Sequence, residues 1–187
     1  VHSVRFSASG TKLLTAAEDS VLLIRDLITR TDQSFDFDSR VVTHAEWSPD
    51  EKQVLVTSRV KAEGQSVSRE QDKTSGAMLL EPETGKQVPL LTEGSAKFGT
   101  ISSDGAWIIV VSDSGTATLF NIVRGEILPG LNVNRRPVYH AAFSEDSREL
   151  LVRHDGELSL WDLQTEIEIM RVPEADRQYW GIGLPTF

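Results

Sequence analysis

Eight basic residues, in three separate segments, are the side chains best suited to chemistry in this acidic sequence. They are Arg59, Lys61, Arg69, Lys73, Arg135, Arg136, Arg153 and His154. Arginine and lysine donate charge-assisted hydrogen bonds to carboxylates and phosphates, and the guanidinium fork fits both anions. We therefore expect a surface that binds an acidic or phosphorylated peptide. Glu63, Glu70 and Asp72 are interspersed among these residues, so a solvated charged rim is the alternative interpretation.

Other residue types give no pattern typical of catalysis or metal binding. His44 and His140 lie three residues before equivalent large side chains, and no carboxylate motif accompanies them. The sequence lacks cysteine, a Gly-x-Ser-x-Gly elbow, a phosphate loop and a His-Glu-x-x-His motif. We therefore predict no catalytic residue, no metal and no cofactor, and a protein that is not an enzyme.

Composition narrows the class of protein. The 187 residues are 39% hydrophobic and 25% charged, which is typical of a folded globular chain. A formal net charge of −9 argues against binding to nucleic acid, because the field repels phosphate. No apolar run approaches the roughly 20 residues that span a bilayer, so we expect no membrane insertion. The absence of cysteine suits a reducing compartment, and we expect the cytoplasm, with the nucleus as alternative.

A repeat runs along the chain and predicts the elements that position these side chains. Each copy consists of a large apolar residue, then Ser, then a turn-forming cluster. The large apolar residues, which we call the anchors, are Phe6, Trp47, Ile101 and Phe143. The anchors are 41, 54 and 42 residues apart, and Leu184 is a weaker fifth echo. This spacing is close to the period of about 40–45 residues found in four-stranded propeller blades. Ser, Asp and Gly in the cluster favour a chain reversal.

Short apolar runs follow each turn and predict an all-β chain of four-stranded antiparallel units. Runs such as Gln53–Thr57 and Trp107–Val111 are typical of strands buried on both faces. A third run follows a tight turn such as Asp155-Gly156, and a less regular outer strand comes last. The predicted units span residues 1–40, 41–95, 96–136 and 137–178, with 179–187 as the first strand of another unit.

The third apolar run of each predicted unit resembles a motif of a known family. Trp161-Asp162 is the signature dipeptide of WD repeats, and Arg25-Asp26, Leu80-Glu81 and Phe120-Asn121 take its place in the other units. The chain thus resembles the WD-repeat family, which implies a β-propeller with four blades present. It departs from the family in lacking the usual Gly-His pair, and Leu151 stands where Ser or Thr completes a polar network. The stability of these blades is therefore expected to depend more on apolar packing than on a polar network.

Both termini of the sequence align with the innermost strand of a blade. We expect a segment of a seven- or eight-bladed ring. A dimer of half-propellers, in which the chain associates with itself, is the alternative, and a closed four-bladed ring ranks third.

The resemblance implies a non-catalytic scaffold that uses a propeller face to bind a protein or peptide. The extra length of the second unit, residues 59–74, is expected on that face, although a solvated insertion explains it equally well. The alternative function is a sensor or regulatory segment of a larger signalling protein, such as a nucleotide-driven switch. A propeller enzyme is a distant third.

Overall fold

The computed structural model describes residues 3–17, 20–37, 40–60, 76–90, 94–128 and 136–173. Within these ranges the chain forms strands and no helix. The strands are β1 (Ser3–Phe6), β2 (Lys12–Ala16), β3 (Val21–Asp26), β4 (Asp32–Asp36), β5 (Arg40–Trp47), β6 (Val54–Val60), β7 (Ala77–Glu81), β8 (Lys86–Pro89), β9 (Ala96–Ile101), β10 (Trp107–Ser112), β11 (Ala117–Asn121), β12 (Glu126–Ile127), β13 (Val138–Phe143), β14 (Glu149–His154), β15 (Glu157–Asp162) and β16 (Ile167–Pro173).

Each group of four consecutive strands forms one sheet in which every neighbouring pair is antiparallel. We number the sheets one to four in chain order: β1–β4, β5–β8, β9–β12 and β13–β16. The prediction of an all-β chain built from four-stranded antiparallel units is therefore confirmed. Among the described residues, no helix is long and apolar enough to cross a membrane.

The repeated turn joins the first and second strands of every sheet in the same way. Its Ser accepts a hydrogen bond from the backbone N–H five residues later, as Ser48 does from Gln53 at 2.9 Å and Ser102 from Trp107 at 2.9 Å. The residue three positions after this Ser has a positive φ in all four sheets: 70° at Gly10, 58° at Glu51, 72° at Gly105 and 58° at Ser147. The sequence repeat therefore encodes one backbone conformation used four times.

The last residue of the third strand caps the following turn in sheets one, three and four. Asp26 accepts hydrogen bonds from the backbone N–H groups of Ile28 and Thr29 at 2.9 and 2.8 Å. Asp162 accepts from the N–H of Thr165 at 2.6 Å. These backbone bonds favour the charged form and lower the pKa of both carboxyl groups. The acidic residue at the end of these two strands thus has a structural role.

The sheets pack face to face in chain order, with one apolar core between each neighbouring pair. Between sheets one and two the core includes Leu14, Ile24, Trp47, Val54 and Leu80. Between sheets two and three it includes Leu55, Leu79, Ile101, Ile108 and Phe120. Between sheets three and four it includes Ile109, Leu119, Leu150, Val152 and Trp161. The three tryptophans among these described residues, including Trp107, are buried as predicted.

Sheets two and three are covered on both faces, which explains their continuous apolar strands. In β6, Val54 and Val56 belong to the core with sheet one, whereas Leu55 belongs to the core with sheet three. Successive side chains of a strand point to opposite faces, so a strand between two cores needs an apolar residue at every position. Within the described ranges, sheets one and four each have only one face in a core.

The structure corrects the placement of three sequence-predicted residues. The sequence pattern predicts Arg59 in an insertion, and Arg153 and His154 in a turn. Arg59 instead lies on β6, where it pairs with Val41. Arg153 and His154 end β14, because the two residues Asp155-Gly156 suffice to reverse the chain, with Gly156 at a φ of 77°. The predicted extra strand at 179–187 lies outside the described residues.

Candidate functional site

A β-bulge occurs at the same position in three successive first strands. The pairing register shifts at Thr43 in β5, Lys97 in β9 and Tyr139 in β13. Each bulged residue lies four positions before its anchor, at the strand end opposite the repeated Ser turn. A bulge bends its strand and re-aims a side chain, and bulges are enriched beside binding and active sites. We call Thr43, Lys97 and Tyr139 the bulge row.

Contacts along the bulge row connect neighbouring sheets. Thr43 Oγ1 donates a 2.8 Å hydrogen bond to the carbonyl oxygen of Ala96, which links sheets two and three. The Lys97 ammonium lies 5.9 Å from the centroid of the Tyr139 ring, within the range of a cation–π interaction. Lys97 and Tyr139 are nevertheless exposed, Tyr139 by 46%. The row therefore presents one cation and one aromatic ring together on the surface.

Two of the sequence-predicted arginines lie on the same sheet as Tyr139. Arg153 is the cross-strand partner of His140, the residue next to Tyr139, and its side chain is exposed. Arg136 lies two residues before β13, is exposed, and donates a 2.8 Å hydrogen bond from Nη1 to the carbonyl oxygen of Asp155. The His140 ring stacks on Phe98 of sheet three at 5.7 Å. Sheet four thus carries two guanidinium groups at the same end of its strands as Tyr139.

His154 belongs to a buried hydrogen-bond network instead of the surface. Its side chain is 3% exposed, with Nε2 2.9 Å from Ser159 Oγ and Nδ1 3.4 Å from the Arg136 carbonyl oxygen. The Trp161 indole N–H donates to the same Ser159 oxygen at 3.1 Å. Because the Arg136 carbonyl oxygen can only accept, a neutral His154 ring has its proton on Nδ1 and accepts at Nε2 from the Ser159 hydroxyl, which in turn accepts from the Trp161 N–H. This Ser–His pair is structural, with Ser159 only 1% exposed.

We expect Ser159→Ala to destabilise the chain by about 2–6 kcal/mol. The substitution leaves the Trp161 N–H and the His154 Nε2 buried without a partner, and each such loss costs about 1–3 kcal/mol. Chemical denaturation of the variant measures the effect. In the background of Trp161→Phe, the same substitution should cost less, because the indole N–H has already been removed. Equal costs in both backgrounds would contradict the network.

The other predicted basic residues do not join this group. Arg59 lies on sheet two, separated from Arg136 and Arg153 by the whole of sheet three. Lys61, Arg69, Lys73 and Arg135 lie outside the described residues. Among the described part of the chain, no group of three His, Asp or Glu side chains could hold a metal ion.

Sequence reasoning missed both exposed members of the bulge row and one buried cation. Lys97 and Tyr139 give no signal by themselves, since a bulge appears only when two strands are paired. Arg40 is 8% exposed and donates from Nε to Ser58 Oγ at 2.7 Å and from Nη2 to the Gly94 carbonyl oxygen at 3.3 Å. Arg40 and Arg136 both lie seven residues before their anchors, and this equivalence was visible in the sequence.

Comparison of the chain with models of known protein families found no match, and comparison with curated proteins found no relative. The functional inference therefore depends on the geometry of the sheets and of the bulge row.

Proposed function

We propose that this chain is a segment of a WD-repeat β-propeller and that it acts as a non-catalytic scaffold. In this proposal it binds an acidic or phosphorylated segment of a partner protein at the bulge row. The observation that carries the proposal is the exposed Lys97–Tyr139 pair, supported by a bulge repeated in three sheets and flanked by Arg136 and Arg153.

The arrangement of the sheets supports the propeller. First strands of neighbouring sheets contact each other directly: Ser3 Oγ donates to the Ala45 carbonyl oxygen at 3.3 Å, and Thr43 donates to that of Ala96. In a propeller the first strands of all blades lie side by side around the axis. The turn caps at Asp26 and Asp162 occupy the second position of the signature dipeptide, which favours the WD-repeat family.

The chemistry of the site supports an anionic ligand. Lysine and arginine form stronger hydrogen bonds with carboxylates and phosphates than with neutral acceptors. Tyr139 offers a rigid ring and a hydroxyl, a combination that is enriched at binding hot spots. An extended peptide crossing from sheet three to sheet four would meet Lys97 and then Tyr139, at the end of sheet four where Arg136 and Arg153 also lie.

The opposite end of the sheets is rich in carboxylates, with basic residues such as Lys52 and Arg148 among them. Its turns carry carboxylates that include Asp26, Asp50, Glu51, Asp104, Asp146 and Asp162. An anionic partner is repelled from that end and attracted to the bulge row, because like charges disfavour encounter and opposite charges steer it.

Fluorescence anisotropy with a labelled peptide of alternating glutamate and glycine, with and without one phosphoserine, tests the proposal. We expect binding to the wild-type chain and no binding of the glutamine counterpart. Lys97→Glu and Arg153→Glu should each weaken binding about tenfold or more, since a charge-assisted hydrogen bond contributes about 1.5–3 kcal/mol.

A matched control separates a site from general electrostatics. Lys52 is 80% exposed at the opposite end of sheet two, so Lys52→Glu makes the same change in net charge far from the bulge row. We expect this variant to bind like the wild type. Equal losses in Lys52→Glu and Lys97→Glu, or no binding of either acidic peptide, would contradict the proposal.

A further inference from the structure

Two Asp-Gly pairs lie in turns of the described sheets, and their surroundings differ. One is Asp104-Gly105, in the repeated turn of sheet three, and the other is Asp155-Gly156, in the two-residue turn between β14 and β15. Both aspartates are exposed. In an Asp-Gly pair the glycine nitrogen can attack the preceding side-chain carboxyl group, because glycine has no side chain to obstruct the approach. Each pair is therefore a candidate for conversion of aspartate to isoaspartate.

Hydrogen bonds hold the reacting groups of the sheet-three pair in place. Asp104 Oδ1 accepts from the Ser102 hydroxyl at 2.6 Å and from the Ala106 N–H at 2.9 Å. The Gly105 N–H donates to the Ser102 carbonyl oxygen at 2.9 Å. The carboxyl group cannot turn towards the Gly105 nitrogen, and this nitrogen cannot lose its proton, until the three bonds open. The fold therefore protects the sheet-three pair.

The reacting groups of the sheet-four pair are not held in this way. Among the described residues, none forms a hydrogen bond with the Asp155 carboxylate or accepts one from the Gly156 N–H. Asp155 and Gly156 are both exposed to water. The attacking nitrogen and the carboxyl group that it attacks are thus both free to move together in the sheet-four turn.

Arg136 lies against the peptide group that would react. Its Nη1 donates to the Asp155 carbonyl oxygen at 2.8 Å, and a Cβ atom added at Gly156 would lie 3.6 Å from the same nitrogen. This carbonyl and the Gly156 N–H belong to one peptide group. When the N–H loses its proton, most of the negative charge moves to the carbonyl oxygen, where the guanidinium group is already in place. A fixed cation at a developing negative charge lowers the barrier of a reaction.

We infer that Asp155-Gly156 is a self-modifying site that forms isoaspartate through a succinimide, with Arg136 stabilising the amide anion. In the first step the Gly156 nitrogen bonds to Asp155 Cγ, and one carboxylate oxygen leaves as water with the amide proton and a proton from solvent. In the second step water adds to the main-chain carbonyl carbon of Asp155, and the bond from this carbon to the Gly156 nitrogen breaks. The backbone then runs through Cγ, the former carbonyl carbon is a free carboxylate, and a proton returns to solvent.

The new carboxylate forms at the atom that Arg136 already contacts. The oxygen that accepts from Nη1 changes from a neutral carbonyl to a carboxylate, and a charge-assisted pair is stronger than a bond to a neutral acceptor. The net charge of the chain is unchanged, because the Asp155 side-chain carboxylate becomes an amide. Conversion therefore withdraws Arg136 from the anions of a partner. This last consequence rests on the proposed function, whereas the isomerisation itself does not.

Peptide mapping of the aged chain, with an isoaspartate-specific methyltransferase as the probe, tests the inference. In the folded chain at neutral pH, isoaspartate at 155 should accumulate about tenfold faster than at 104 or more, since the Asp104 turn must first open three hydrogen bonds. In concentrated denaturant the two sites should convert at similar rates, because the difference comes from the fold.

Substitution of Arg136 tests its contribution to the reaction. Arg136→Gln removes the charge and should slow conversion at 155 about tenfold, whereas Arg136→Lys keeps a cation and should retain part of the rate. Arg124 is exposed in the turn between β11 and β12, so Arg124→Gln is the matched control and should convert like the wild type. Slow conversion at 104 in the same sample shows that each variant is folded.

Two results of the mapping would overturn the inference. One is equal accumulation at 104 and 155 in the folded chain, and the other is a rate at 155 that Arg136→Gln leaves unchanged. Binding of the glutamate peptide to fresh and aged chain tests the consequence separately. The affinity should fall as isoaspartate accumulates at 155, and an unchanged affinity would show that Arg136 is not withdrawn. A fresh chain that fails to bind would contradict the proposed function alone, since the mapping decides the isomerisation.

Discussion

Leu55→Ala is expected to destabilise the chain by about 3–5 kcal/mol. Leu55 is fully buried in the core between sheets two and three, where it pairs with Leu79 across the strands. Removing a buried leucine side chain loses its transfer free energy and leaves a cavity that the two sheets cannot close. A typical domain has only about 5–15 kcal/mol of stability, so this loss is a large fraction of the total. Denaturant titration would measure this loss of stability. The slope of the unfolding free energy against denaturant concentration should stay unchanged.

Leu151→Ala is the matched control, because Leu151 has the equivalent position in sheet four. Its side chain is half-buried and belongs to none of the three apolar cores of the described residues. We expect a cost of only about 1 kcal/mol, in proportion to the smaller area removed from water. Similar costs for Leu55→Ala and Leu151→Ala would contradict this prediction and indicate that sheet four is covered on both faces.

Gly76→Ala is the second substitution with a large expected effect, about 3 kcal/mol or more. A Cβ atom at this position would lie 2.4 Å from the Gly94 carbonyl oxygen and 2.6 Å from the Ala96 nitrogen. Both atoms belong to the backbone at the start of sheet three, and rotation of a side chain cannot relieve either clash. The added methyl group must therefore separate sheets two and three at this end. Thermal unfolding is the measurement, with a fall in the midpoint as the expected sign.

Gly85→Ala tests whether the Gly76 effect comes from the clash or from glycine in general. Gly85 has a φ of 71° in the turn between β7 and β8, and a methyl group added there would meet no described atom within 4 Å. We expect a cost of about 1–2 kcal/mol from the left-handed backbone alone. If Gly85→Ala cost as much as Gly76→Ala, close approach of the two sheets would not be the cause.

Local patterns in the sequence predicted the elements of the fold correctly. The anchors Phe6, Trp47, Ile101 and Phe143 each end the first strand of a sheet, and the Ser-rich cluster forms the next turn. These features are local: a turn depends on a few adjacent residues, and a buried strand needs only a short apolar run. The same locality explains why the last residue of the third strand, such as Asp162, caps a turn in sheets one, three and four.

Features that depend on the pairing of strands were not predictable. The bulges at Lys97 and Tyr139 arise from the register between two strands, and single residues do not encode it. The network of His154, Ser159 and Trp161 was also missed, because the sequence pattern placed the polar partner at Leu151. Ser159, on the neighbouring strand, supplies the hydroxyl group instead, and no sequence motif specifies its position.

The sequence by itself determined an all-β chain, four repeated units and the turns within them, because those depend on short-range periodicity and backbone preference. Only the tertiary structure decided which residues face a neighbouring sheet and which remain exposed. Leu55 and Leu151 have the same residue type and the same place in the repeat, yet one is buried and the other half-exposed. The difference is the presence of a next sheet, since burial is a property of what packs against a residue and not of the residue itself.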